Sequence, residues 1–258
     1  GVVPQLVRSD TELVAPIRAD SPIGRIFERH RVAGEPMPFA IVLGGSPVSV
    51  LSAAFNRRRG GLTAAEVAGA LQRSPLQLVK CETSSLLVPA TAEVVIEGVV
   101  WPTRSAPGGE FPGSFGYFTS GTGDVPVWEI TTITHRNKPI VPFATWGVPV
   151  TEMHLAKSLD CDVQLKQEFV KKGTPVSGVY TPPWLAGSAV AVATKVPFTA
   201  FSQSIAGIVR TTEATKTVPY VMVFDDDIDV TNAISLFHAI CTNCRPGRDT
   251  WKIQSTCG

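Results

Sequence analysis

Runs rich in valine, isoleucine and threonine dominate the first half of this chain; in the second half such runs alternate with helical stretches. Leu76–Val79, Ala92–Trp101, Val127–Arg136 and Ile140–Ala144 read as strands separated by Gly/Pro loops. The apolar run Phe39–Leu43, closed by Gly44-Gly45, predicts a further, buried strand. Residues 21–34 predict a helix, because Ser21 can cap it, Pro22 suits its first position and Gly34 stops it. Short helices are expected over Ser46–Phe55 and Thr63–Leu71, each opened by a hydroxyl cap. Pro102 to Asp124 reads as one long, Gly-rich loop, a length that usually has a functional reason.

Past residue 145 the rhythm changes. Thr151–Lys171 predicts an amphipathic helix ending at Lys171-Lys172-Gly173, and Val176–Tyr180 and Ala189–Val196 predict strands around the Pro182-Pro183-Trp184 turn. A helix over Phe198–Thr211, a buried strand over Tyr220–Phe224 and a helix over Thr231–Ile240 complete an α/β layer. The expected class is α+β, with a β-rich domain over 1–145 and an α/β domain over 146–258.

Composition narrows the function classes. At 258 residues, 44% hydrophobic and 17% charged, the chain can fill a core and is not disordered by composition. Its net charge of +1 gives no pull toward nucleic acid or an anionic membrane, and no apolar run is long enough to span one. Arg57-Arg58-Arg59, flanked by glycine, reads as a solvated turn. Gly1–Pro4 offers neither a basic region nor a cleavage site, so no signal peptide is expected. Five scattered cysteines fit a reduced, cytoplasmic protein, with a Cys257 bridge to Cys241 or Cys244 as the alternative in an oxidising compartment. Cys241-x-x-Cys244 follows a helix-like run and has no ligand set nearby, so it reads as structural rather than metal-binding.

Several residues could carry chemistry. Glu110 lies in a loop bordered by Phe111, Phe115 and Tyr117, and an apolar surround there would raise its pKa and suit it to acid or base work. The competing reading is an ordinary exposed carboxylate. His154 stands in the first turn of a predicted helix as a candidate pocket residue. His30 and His238 are expected to pack, and His135-Arg136 to form a satisfied structural pair. Asp225-Asp226-Asp227-x-Asp229 lacks the glycine and distal glutamate of a calcium loop, so capping of the next helix explains it better. Gly44-Gly45-Ser46-Pro47 is weak evidence for a phosphate site.

Residues 77–101, QLVKCETSSLLVPATAEVVIEGVVW, closely resemble the central domain of the UbiD-type decarboxylases, in particular the ferulic acid decarboxylase branch. Gly34-Glu35-Pro36-Met37-Pro38, Ile133-Thr134-His135-Arg136-Asn137, Thr151-x-x-His154, Asp225–Val230 and Cys244-Arg245-Pro246-Gly247 follow the same pattern in the same order. The resemblance implies a split β-barrel-type central domain followed by an α/β domain that serves for dimerisation. It also implies prenylated flavin and a divalent metal, and the residues for these are substituted. The family's E-G-P-F-G-E acids fall on Gly108 and Gly113, its metal-ligating glutamate on Ala64, a histidine on Pro22 and the arginine of its acid–arginine–acid set on Pro4. A flavin-contacting lysine falls near Glu213, with Lys216 as a substitute after a small slip. The family's N-terminal domain and C-terminal extension have no counterpart in these residues.

The expected function is therefore a shortened UbiD-like enzyme with no cofactor and no metal. A pocket of Phe111, Phe115, Tyr117, Trp146 and Met153 would take a hydrophobic small molecule, with Glu110 and His154 as catalytic candidates. Cyclisation, cycloaddition or isomerisation needs only shape, orientation and a hydrogen-bond donor. A homodimer is expected. The alternatives are a non-catalytic assembly or regulatory subunit of a UbiD-type decarboxylase, and a prenylated-flavin-dependent decarboxylase with a divergent site.

Overall fold

A computed structural model describes residues 5–19, 21–54, 62–113, 115–119, 123–143, 147–195, 197–198 and 200–252. The chain forms two compact units, 1–148 and 149–258.

Unit 1 opens with a hairpin, β1 (Leu6–Ser9) and β2 (Glu12–Val14). Helix α1 (Pro22–Ala33) follows; the Ser21 hydroxyl oxygen accepts the Gly24 N–H, and Gly34 at φ 70° closes the last turn. Strand β3 (Met37–Leu43) leads to α2 (Pro47–Ala54) and α3 (Ala64–Gln72). Thr63 and Glu66 form a reciprocal capping box at the start of α3. Then come the ribbon β4 (Leu78–Lys80) and β5 (Leu87–Pro89), the long β6 (Val94–Pro107), the ribbon β7 (Phe111–Pro112) and β8 (Phe118–Thr119), and β9 (Asp124–His135). The main sheet runs β1-β2-β9-β6-β3, antiparallel throughout.

Alternation along these strands fills both faces. Leu13, Met37, Phe39, Val100 and Trp128 pack on one side with Ile23 and Phe27 of α1, and the Phe39 and Trp128 rings meet edge to face at 5.0 Å. Val14, Ala106, Val125 and Val127 pack on the other.

Unit 2 starts with the long helix α4 (Glu152–Lys171). Strands β10 (Gly178–Tyr180), β11 (Ala189–Ala193) and β12 (Tyr220–Phe224) form its sheet; β11 pairs antiparallel to β10 and parallel to β12, across helix α5 (Phe201–Thr211). Helices α6 (Ala233–Asn243) and α7 (Pro246–Asp249) follow. Every residue of β11 is buried. Val190 and Val192 face Leu165 and Phe169 of α4 and Ile205 and Val209 of α5, while Ala191 and Ala193 face Leu236 of α6.

Three expectations need correction. Ile140–Phe143 form no strand and are exposed. Residues 102–124 are not one loop: β6 continues to Pro107 against β9, and β7 pairs with β8. His238 is exposed rather than packed.

Candidate functional site

The 104–119 segment sits where β6 hands over to the β7–β8 ribbon. The Gly108 N–H donates to the Gly123 carbonyl at 2.9 Å, so Gly108 still belongs to the β6–β9 edge. Phe111 then pairs with Thr119, and Pro112 with Phe118. The Gly113 N–H donates to the Tyr117 carbonyl at 2.8 Å, closing the tip of the ribbon. Gly116, at φ 86°, approaches Val148 so closely that a Cβ would lie 2.6 Å from its Cα; only glycine fits both the angle and the contact. Phe111 is buried and anchors the ribbon. Phe115 and Tyr117 are 51% and 74% exposed, so they present their rings outward. Glu110 is exposed. The apolar surround expected for it is therefore not provided by the described residues.

His154 is buried in the first turn of α4, and Met153 beside it is half-buried. The Thr151 N–H donates to His154 Nδ1 at 3.0 Å, and Thr151 Oγ1 lies at the same distance. Nδ1 is thus an acceptor, which leaves the proton of a neutral ring on Nε2. His154 takes the place that glutamate or glutamine fills in an ordinary capping box. Trp146 lies outside the described residues, as do Pro4, Arg57–Arg59 and Cys257.

The positions that resemble cofactor and metal residues do not fit either group. Pro22 is the first residue of α1 and Ala64 the first of α3, and neither brings a side-chain donor. Among the described residues, no three His, Cys, Asp or Glu cluster as a metal site would need. Lys216 Nζ lies 2.8 Å from Glu213 Oε1, an exposed pair along the chain. Asp229 accepts the Thr231 N–H and hydroxyl, and Asn232 caps α6, which accounts for that end of the acidic run.

Sequence reasoning missed two polar arrangements. Arg104 bridges Glu12 at 2.6 Å and Glu129 at 2.5 Å, an acid–arginine–acid set across β2, β6 and β9. All three side chains are partly exposed, and cross-strand pairing explains them. The second is Glu97, 1% exposed, whose carboxylate accepts the N–H groups of Glu82 and Thr83, each at 2.8 Å, and the Thr83 hydroxyl at 2.6 Å. Burial pushes this carboxyl up, but these hydrogen bonds and one with Cys81 outweigh it, holding Glu97 below the usual carboxylate range. The Cys81 thiol beside it is pushed up by burial first and by the Glu97 charge second, so it is not a ready nucleophile. A solvent-open hollow of about 190 Å³ lies here between the β4–β5 ribbon and β6, with Glu93, Glu97, His135 and Arg136 in its wall, at the end of β6 away from the β7–β8 ribbon.

Residues 4–149 match the family model for the 3-octaprenyl-4-hydroxybenzoate carboxy-lyase Rift-related domain, and residues 163–258 match that for the C-terminal domain of the same enzyme. An evolved dimeric form of the UbiD-class enzyme HmfF from Pelotomaculum thermopropionicum, solved with prenylated flavin, superposes with a TM-score of 0.83 at 26% identity. That match covers 95% of this chain and 56% of the other. Vanillic acid decarboxylase from Sedimentibacter hydroxybenzoicus, in its open form, gives 0.80 at 26% identity over 95% of this chain and 52% of its own. The apo 3,4-dihydroxybenzoic acid decarboxylase of Klebsiella pneumoniae shares the fold, with a TM-score of 0.81 at 22% identity over 95% and 52% of the two chains. The chain thus spans about half the length of these solved structures. No helix among the described residues is long and apolar enough to cross a membrane. Two family domains in order, on an α+β fold that superposes on UbiD-class enzymes, establish that this chain belongs to the UbiD family.

Proposed function

We propose that this UbiD-family chain binds a hydrophobic small molecule and transforms it without prenylated flavin or metal, by cyclisation, cycloaddition or isomerisation. One observation carries the reading: the segment that resembles the family's two-acid motif has glycine at both acid positions, Gly108 and Gly113, in a closed ribbon that presents Phe115 and Tyr117. Glycine cannot hold a proton, while the outward rings offer apolar surface on which a substrate can be folded. Glu110 is the proposed proton donor or acceptor on that face. Unit 2 is the proposed dimerisation half, and the cytoplasm the proposed location.

A second reading, a non-catalytic assembly or regulatory subunit of a UbiD-type decarboxylase, is favoured by the fate of the other two candidates. His154 spends Nδ1 on capping α4, and Glu110 faces solvent. Substitution separates the readings. With a substrate found by screening hydrophobic polyenes and aromatic acids, Glu110→Gln should slow turnover by about 10²–10⁴ if Glu110 moves a proton. Unchanged turnover in Glu110→Gln with loss in Phe115→Ala means catalysis by shape. If both variants match the parent in every binding and turnover assay, the catalytic reading fails and the subunit reading replaces it.

A further inference from the structure

A free cysteine packs like a small apolar residue and is among the side chains most often buried. Cys81 and Cys161 follow that rule, both free and both buried. Cys241 and Cys244 break it: they are free thiols too, but Cys241 is exposed and Cys244 only half-buried. The structural role expected for this pair from the sequence would have placed both in a core. Two accessible thiols three residues apart point to chemistry instead.

Their placement in α6 says which chemistry. Cys241 lies in the last turn, and Cys244 is the residue that ends the helix, already extended at φ −87° and ψ 128°. Three helical steps set their Cα atoms about 5 Å apart, from a rise of about 1.5 Å per residue on a radius of about 2.3 Å. That falls inside the roughly 4.4–6.8 Å that a disulfide spans. Inside a regular helix the two Cβ atoms would lie about 5–6 Å apart, beyond the roughly 3.5–4.5 Å a disulfide needs. Cys244 is not inside the helix. Its N–H donates to the Ile240 carbonyl at 3.3 Å, longer than the roughly 2.9–3.0 Å of an ordinary backbone bond. The next helix does not depend on it, because Asp249 Oδ2 accepts the Arg245 N–H at 2.8 Å and caps α7 from within. Giving up the Ile240 contact lets Cys244 swing its Cβ toward Cys241, so a disulfide and the last hydrogen bond of α6 compete.

We propose that Cys241 and Cys244 are a reversible thiol–disulfide switch at the end of α6, closed by a low-molecular-weight disulfide and reopened by excess thiol. Cys241, the more exposed of the two, attacks one sulfur of the small disulfide as a thiolate. The small S–S bond breaks, one half leaves as a thiolate, and the other half stays on Cys241 as a mixed disulfide. Cys244 then attacks Cys241 Sγ and expels that second half. The protein gives up two electrons and two protons, and the small disulfide takes them up as two thiols. In a reducing compartment such a bond is transient, which suits a sensor rather than a staple. Closure shortens α6 by the turn that carries Cys244, and reduction restores it. The proposal is independent of the ribbon and of the chemistry proposed there.

Peptide mapping of the full chain tests it. Trypsin leaves Cys241 and Cys244 together on residues 217–248, because Arg245 precedes a proline, and puts Cys257 on residues 253–258. The chain is incubated with oxidised glutathione, alkylated in denaturant, digested and weighed. Peptide 217–248 should escape alkylation and weigh two hydrogens less than its reduced form, and excess dithiothreitol should restore it. Cys257→Ser should behave as the parent does, and Cys244→Ser should stop with glutathione on Cys241. Oxidation should also speed hydrogen exchange of the Cys244 N–H by about tenfold or more, read by NMR. A parent chain that stops at glutathione adducts would overturn the switch. A cross-link between peptides 217–248 and 253–258 would overturn it too, by giving the partner role to Cys257. Unchanged exchange at Cys244 in the closed form would overturn the coupling to the end of α6.

Discussion

Replacing Glu97 by alanine should destabilise the protein by about 3 kcal/mol, with a fall in Tm of roughly 6–12 °C. The carboxylate is 1% exposed and receives three donors from Glu82 and Thr83, which hold the β4–β5 ribbon onto β6. Alanine would leave two part-buried N–H groups and a hydroxyl without their acceptor. The effect carries a pH signature. Glu97 is held below its ordinary range in the folded state, so its contribution is complete above the unfolded carboxylate value, about 4.3, and is lost as pH falls through the lower folded value. Glu97→Gln should therefore be clearly less stable than the parent at pH 7, and the gap should narrow progressively as pH falls below the unfolded carboxylate value of about 4.3. A gap that stays constant from pH 7 to pH 3 would contradict an ionised, hydrogen-bonded Glu97.

The neighbouring position should be less tolerant still. The pairing of β6 with β9 slips its register between Glu97 and Gly98, and a Cβ on Gly98 would lie 1.9 Å from the Glu129 carbonyl oxygen and 2.8 Å from the Phe39 ring. A backbone carbonyl in the middle of a sheet has no way to withdraw. Gly98→Ala should cost about 4 kcal/mol or more and abolish soluble expression or cooperative melting. A variant that melts within 2 °C of the parent, roughly half a kcal/mol, would mean that the β6–β9 register is not the one described here.

These two residues also show what a sequence reading can and cannot reach. Local signals were enough for α1, whose start and stop depend on Ser21, Pro22 and Gly34, and for α3, whose start depends on Thr63 and Glu66. They were enough for the existence of β11, a run of small apolar residues bounded by turn signals, although the strand expected over Ala189–Val196 ends at Ala193. They failed where the deciding partner lies far away. Strand β2 pairs with β9, more than 100 residues on, and among the described residues β1 pairs with β2 alone, so the short hairpin depends on a distant strand. Past Trp101, the polar run Thr103-Arg104-Ser105 hid the continuation of β6, because the partners of Arg104 are on β2 and β9. Ile140–Phe143 failed in the opposite sense: the run is apolar enough for a strand, yet it stays exposed and outside every ladder described.

The candidate site divides in the same way. Glycine at 108 and 113, and proline and alanine at 22 and 64, are identities and could be read directly. The exposure of Glu110 depends on how Phe111 pairs with Thr119, and the role of His154 depends on the geometry of the Thr151 cap, so neither was visible from residue type. Family membership and chemistry separate for the same reason. The residues that specify the fold are spread along both units, whereas the chemistry rests on a few positions that can change without disturbing the core.

The central claim is that this UbiD-family chain works without the family's flavin. The direct measurement is a titration of the purified protein with prenylated flavin and Mn²⁺, followed by gel filtration and a visible absorbance spectrum of the protein peak. The account predicts a colourless peak carrying well under 0.1 flavin per chain, a threshold of about one-tenth occupancy that corresponds to a Kd at least tenfold above the flavin concentration used. A peak carrying about one flavin per chain would contradict it and return the protein to decarboxylase chemistry.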